Sequence, residues 1–252
     1  MLEDSSYDHT VIELPLTTRL PYDTAALVRP FYDFYFDSWS GPGERRLTLQ
    51  AAWQDKSEDR ICEAMTAASM TAMTLPTPVG GPPRDDDPEL AAAVARLIQR
   101  LLERKAHYQT EEDPQPRLLK AEDIGVAATH RVMVTRFKES LGDLSQAIRV
   151  DTPERWQGLE RQVMVVMHPL SGKLRPSSFD LDTGRLNVML SRHRVGCVIV
   201  GRDHIDETLQ SYAPRAEQAP GREDHVGAGH SRNLEFWRSL GKMGRIVQLK
   251  KD

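Results

Sequence analysis

The chain has 252 residues, 39% of them hydrophobic, enough for one large domain or two small ones with a real core, and a single α/β domain is the simpler expectation. With 33 Lys and Arg against 37 Asp and Glu, the formal charge of −4 excludes a global basic field that gathers phosphates, so any nucleic-acid contact must be local. Cys62 and Cys197 are the only cysteines, with no disulfide framework or zinc spacing, and no apolar run approaches the ~20 residues of a bilayer span, so the expectation is a cytoplasmic protein without a membrane segment or a metal-ligand pattern.

In chain order, residues 11–14 read as a strand, close to the start. Leu27, Val28, Phe31, Phe34 and Tyr35 then fall at helical spacing after a proline and an aspartate. Residues 37–86 hold a polar segment, a short apolar stretch at 70–75 and the breaker cluster PTPVGGPPRDDDP, and read as an irregular insertion over the surface. Asp87-Pro88 supplies an N-cap and a proline at the first helical position. The stripe of Leu90, Val94, Leu97, Ile98 and Leu101 predicts a helix to about residue 108. QTEEDPQPR reads as a polar linker. Further strands are expected at 124–128, 147–150, 163–167, 197–200 and 245–249, with a helix after the first of them. Residues 213–230 read as a flexible loop, followed by a helix capped by Ser231 and closed by Gly241. Short apolar runs alternating with helices predict an α/β fold, a mostly parallel sheet with helices on both faces.

Residues 150–200 carry most of the chemistry: VDTPERWQGLERQVMVVMHPLSGKLRPSSFDLDTGRLNVMLSRHRVGCVIV. Gln157, Gly158 and Glu160 precede one apolar run, and Arg185, Asn187, Ser191, Arg192 and Arg194 precede another. Glycine permits close backbone approach, and a Gln amide beside a Glu carboxylate can bond ribose or neighbouring polar groups. An arginine fork donates several hydrogen bonds to phosphate oxygens and keeps its charge.

This order resembles motifs V and VI of superfamily 1 nucleic-acid helicases, in the branch that contains the nonsense-mediated-decay helicase and its bacterial relatives. There, V-x-T-x-x-x-[FW]-Q-G-x-E precedes R-L-N-V-[AM]-L-[ST]-R-x-[RK]. Upstream, IGVAATHRVMVTR is similar to the family segment I-G-V-x-[AT]-[PT]-[YH]-R-A-Q, with Met133 where the family has Gln. Thr17-Thr18-Arg19-Leu20-Pro21 corresponds to its Y-R-M-x-P, with Thr18 in place of the tyrosine.

The resemblance implies a RecA-like fold, that of P-loop NTPases, and a set of roles. Arg192 would be an arginine finger and Arg19 a second phosphate-directed arginine. Gln157, Gly158, Glu160, Arg185 and Asn187 would bind nucleotide. Thr152, Thr129, His130 and Arg131 would contact nucleic acid, although His130 reads equally as a loop histidine. Trp156 reads as a packing residue, His168 and His193 as structural, and Asp85–Asp87 as a solvated cap.

No G-x-x-x-x-G-K-[ST] occurs in these residues, and no apolar strand ends in an Asp-Glu pair. Ser171-Gly172-Lys173 lacks the earlier glycine and runs into Leu-Arg-Pro. The expectation is therefore a second, C-terminal RecA-like domain, inactive alone, handling single-stranded DNA or RNA. ATP and magnesium would be held mainly by a P-loop-bearing first domain in cis or trans. The alternative is a non-hydrolysing nucleic-acid-binding or scaffold domain that keeps the fold. The early first strand also allows a truncated gene product.

Overall fold

A computed structural model describes residues 14–83, 85–212 and 225–249. The strand expected at 11–14 falls almost wholly outside the described residues, as do 213–224 of the expected loop. From the amino end come β1 (Leu16–Thr17), α1 (Tyr22–Val28), β2 (Asp37–Ser38), β3 (Arg46–Leu49), α2 (Asp59–Ala67), β4 (Met70–Leu75) and α3 (Pro88–Glu103). Then follow β5 (Ala106–Gln109), β6 (Arg117–Leu118), β7 (Ile124–Ala127), α4 (Arg131–Leu141), β8 (Arg149–Asp151) and β9 (Arg161–Met167). The described chain closes with α5 (Thr183–Leu190), β10 (His193–Arg202), α6 (Ile205–Ser211), α7 (His225–Lys242) and β11 (Ile246–Gln248).

Six strands form one parallel sheet in the order β11-β4-β10-β9-β7-β8. Because successive side chains point to opposite faces, the apolar runs feed two cores at once. Val163, Val165, Val198 and Val200 pack with Leu90, Leu97 and Phe137 from α3 and α4. Met164, Val166, Cys197 and Ile199 pack with Leu27, Leu186, Met189 and Phe236 from α1, α5 and α7. This is the expected RecA-like arrangement, a parallel sheet flanked by helices on both faces. Among the described residues no helix is long and apolar enough to cross a membrane.

The reading of 37–86 as an irregular insertion is corrected. The segment contains β2, β3, α2 and β4, and β4 is wholly buried between β11 and β10. Helix α2 escapes a hydrophobic-period reading because its buried face includes Asp59. That carboxylate is matched by Arg100 Nε at 2.8 Å and Arg104 Nη1 at 3.1 Å, both from α3. Helix α3 also ends five residues short of the expected limit. Lys105, at φ 49°, turns the chain into β5, which pairs antiparallel with β3 and β6. QTEEDPQPR is thus mostly the turn of a hairpin. Helix α7 starts at His225, so Ser231 is not its cap, and Gly241 lies inside it.

Candidate functional site

A parallel sheet puts all strand amino ends on one edge and all carboxyl ends on the other, and residues 152–160 cross between them. The chain leaves β8 at its carboxyl end, makes a 3-10 turn over Pro153–Trp156 and enters β9 at its amino end. Trp156 fastens the crossing. Its buried ring lies on β7, donating Nε1–H to Val126 O at 3.2 Å, and the space it fills exists because residue 125 is glycine. A Cβ there would stand 2.5 Å from the Trp156 ring and 2.6 Å from Met164 Sδ. Gln157-Gly158 then makes a tight turn, closed by Leu159 N–H to Trp156 O at 3.1 Å, in which Gly158 takes φ 77°. Only glycine occupies that left-handed region without strain.

The turn delivers Glu160 to a group of arginines at the amino edge. Arg19 Nε donates to Glu160 Oε2 at 2.9 Å and Arg19 Nη1 to Ser191 O at 3.3 Å. Arg194 Nη1 lies 3.5 Å from the other Glu160 oxygen and its Nη2 is 2.6 Å from Glu112. Arg192 differs from both. It is half-buried, its Nε donates to Val188 O at 3.2 Å, and it forms no ion pair with any described residue. Burial, and after it the like charge of Arg19, lower this guanidinium from its ordinary value. Arginine stays protonated even so.

The backbone carrying Arg19 is held by a residue that sequence reasoning missed. Arg45, wholly buried, donates to the carbonyls of Thr18 and Arg19 and, at 3.5 Å, to that of Arg194, while Glu111 of the β5–β6 turn grips its other side. In sequence Arg45 stands in the run PGERR with no periodicity to distinguish it. Behind Arg192, His193 is fully buried and its Nε2 lies 3.0 Å from Thr24 Oγ1, which meets Ser69 Oγ at 2.7 Å. Burial pushes the His193 imidazole down to about 3, so it is neutral.

At the carboxyl edge, Thr129 is buried, His130 precedes α4 and Arg131 is exposed. His130 Nε2 lies 3.7 Å from both Asp85 and Asp180. Burial opposes ionisation of Asp180, yet His130 and Ser177 hold its carboxyl below the ordinary range. Thr152 follows the end of β8 on this edge. Met133 is a core residue whose sulfur accepts from Asp87 N–H at 3.1 Å.

Two expected nucleotide contacts are not brought to the arginine group. Arg185 begins α5 on the carboxyl side, bonded to Glu154 at 2.9 Å and Asp182 at 3.1 Å and lying 4.1 Å from the Phe179 ring. These nearer acids win it. Asn187 is half-buried in α5, and its buried Oδ1 has no partner among the described residues. Gln157 is exposed in the turn beside Glu160.

Residues 86–204 match the family model described as AAA domain. That domain is found in superfamily 1 helicase-like proteins, so the likeness points to helicase-like, nucleotide-dependent activity in general. The AAA domain match takes in the 152–160 crossing and the 185–194 segment, whereas Arg19 and Arg45 lie outside it. No match to the chain is found among curated proteins.

Arg192, half-buried and without an ion pair among the described residues, is chemically suited to meet an anion such as a polyphosphate. Among the described residues no group of three or more His, Cys, Asp or Glu side chains is placed to hold a metal ion.

Proposed function

We propose that this chain is the second RecA-like half of an ATP-dependent nucleic-acid helicase or translocase. It contributes Arg192 as an arginine finger and Arg19 as a second phosphate ligand to a site whose P-loop and magnesium ligands belong to another domain or chain. The observation that supports this most directly is Arg192, half-buried at the sheet's amino edge without a carboxylate partner among the described residues.

Phosphoryl transfer asks little covalent chemistry of the protein; it asks for positive charge where charge develops on the leaving phosphoryl group. Arg192 would meet that charge when the two halves close. Arg19 would exchange part of its bond to Glu160 for phosphate, leaving Glu160 with Arg194. Because residues 152–160 are one fastened crossing, a shift of Glu160 on nucleotide binding would be transmitted to Thr152 at the opposite edge. There Thr152, Thr129 and Arg131 would contact the backbone of single-stranded DNA or RNA, which carries no sequence information. Cycles of closure and opening would then step the strand.

A second reading, a non-hydrolysing binding or scaffold domain, is favoured by the carboxyl edge, where His130 stands between two carboxylates and Arg185 is bonded to two more.

The test is ATP hydrolysis with magnesium, with and without single-stranded DNA and RNA. The chain alone is expected to give no turnover. With a P-loop-bearing first domain supplied, turnover should appear and fall about 10³–10⁵-fold in Arg192→Ala. Polynucleotide-stimulated turnover by the chain alone overturns the two-part account, and near-normal turnover of the variant overturns the finger.

A further inference from the structure

Four side chains at the amino edge form a row of alternating charge. Arg19 Nε donates to one oxygen of Glu160 at 2.9 Å, Arg194 Nη1 lies 3.5 Å from the other, and Arg194 Nη2 is bonded to Glu112 at 2.6 Å. Arg194 thus meets its two acids unequally. Glu112 is within hydrogen-bond length, and Glu160 stands just beyond it. The Nε of Arg194 is buried and has no hydrogen-bond partner among the described residues. A guanidinium with five donors keeps enough of them to spare for a second carboxylate.

The outer end of the row is the one that can give way. The side chain of Arg194 is 21% exposed and that of Glu112 is 65% exposed. Backbone beneath Glu112 is fixed, because Thr110 and Asp113 exchange N–H to O bonds at 3.1 and 3.2 Å, and neighbouring Glu111 is held by Arg45 and by Ser40 Oγ at 2.9 Å. Glu112 therefore turns to water by rotating its own side chain, with no rearrangement of the β5–β6 turn. An ion pair so exposed contributes little and exchanges readily. At the inner end, Arg19 reaches phosphate only by loosening Glu160, and a carboxylate set free beside a phosphate repels it unless another cation takes it up. Arg194 is the cation already at the second Glu160 oxygen, and Glu112 occupies it.

We infer that Arg194 is a positioning residue that takes over Glu160 as Arg19 turns to phosphate, and that Glu112 opposes this exchange by holding Arg194. The inference rests on the phosphate-site reading above. Phosphate at Arg19 moves Glu160 toward Arg194, and Arg194 releases Glu112 to solvent. The β5–β6 turn thereby sets how readily the arginine edge accepts a polyphosphate.

The test is calorimetric titration of the purified chain with inorganic tripolyphosphate in about 0.15 M salt, where the direct field of an exposed charge is screened within about 8 Å. Glu112→Gln should tighten binding by about 2- to 5-fold, the range that an exposed ion pair commands. Arg194→Gln should weaken it by a similar factor, and Arg194→Lys should recover part of the loss. Glu112→Gln should change nothing once Arg194 is Gln, and neither substitution should matter once Glu160→Gln has freed Arg19. A gain in Glu112→Gln that persists with Arg194→Gln or with Glu160→Gln makes Glu112 a source of general repulsion and overturns the exchange. No gain at all, with Arg192→Ala still weakening the ligand, overturns the exchange and leaves the phosphate site standing. If tripolyphosphate does not bind, or Arg192→Ala binds it as the parent does, the phosphate site falls and the exchange with it.

Discussion

Glu111 holds the buried guanidinium of Arg45 with both carboxylate oxygens, and the same guanidinium reaches the carbonyls of Thr18 and Arg19. The β5–β6 turn is thereby joined to the segment that carries Arg19. Removing one partner of such a pair leaves the other charge buried and unpaired, at a cost of about 3–5 kcal/mol. Glu111→Ala should lower unfolding free energy in urea by an amount of that order. Arg45→Lys should recover little, because an ammonium cannot serve a carboxylate and two divergent carbonyls together. A loss under about 1 kcal/mol in Glu111→Ala would mean that the pair does not organise this edge.

Acid should weaken the fold in two stages. Burial pushes the imidazoles of His168 and His193 from 6.5 down to about 3, so the unfolded chain takes up protons that the fold refuses, and stability falls as pH drops below about 6.5. The Arg45 hydrogen bonds hold Glu111 at about 2. At Asp59 burial opposes ionisation, but Arg100 and the backbone N–H groups of Gln54 and Lys56 prevail and bring it to about 2 as well. Their contribution is complete above the ordinary carboxylate range and is lost as pH falls from about 4.5 toward 2. Urea midpoints measured from pH 8 to pH 3 should decline gently at first and then steeply. Glu111→Gln should flatten only the second stage.

Stability and activity should separate at Arg192. Its one hydrogen bond goes to a backbone carbonyl and its charged neighbour Arg19 repels it, so little of the fold depends on it. Arg192→Ala should leave the unfolding free energy within about 1 kcal/mol of the parent, in the range of ordinary surface substitutions. A large fall in stability would identify Arg192 as a structural residue.

What could be read from the sequence followed the physics of each element. Strands β7, β9 and β10 announce themselves because both of their faces are buried, which requires unbroken apolar runs, and Gly158 marks its turn because no other residue is at ease there. Helix α2 and strand β4 are obscured for the opposite reason. Asp59 is satisfied by arginines more than 40 residues away, and β4 is built from Met, Thr, Ala and Leu, of which only the two threonines are β-branched. The start of α7, HVGAGH, holds two glycines that disfavour helix, and the tertiary contact of His230 Nε2 with Leu209 O at 2.8 Å helps to hold it. The site divides in the same way. Gln157-Gly158-Leu159-Glu160 are consecutive and Arg192 follows within the same 50-residue stretch, while Arg45 and Glu111 join them only through folding.

The junction of Gly125 with Trp156 offers a test of the crossing itself. Gly125→Ala puts a Cβ within 2.6 Å of both the Trp156 ring and Met164 Sδ, both buried and without room to retreat. Overpacking of this kind costs about 1–3 kcal/mol. The double variant Gly125→Ala with Trp156→Phe should recover part of that loss, because the smaller ring vacates the space the methyl enters, and the two substitutions should be non-additive by more than about 0.5 kcal/mol. Urea denaturation of the parent, both single variants and the double variant provides the cycle. Strict additivity would mean that Trp156 does not fix the path between Thr152 and Glu160, and the proposed coupling of the two edges would lose its mechanical basis.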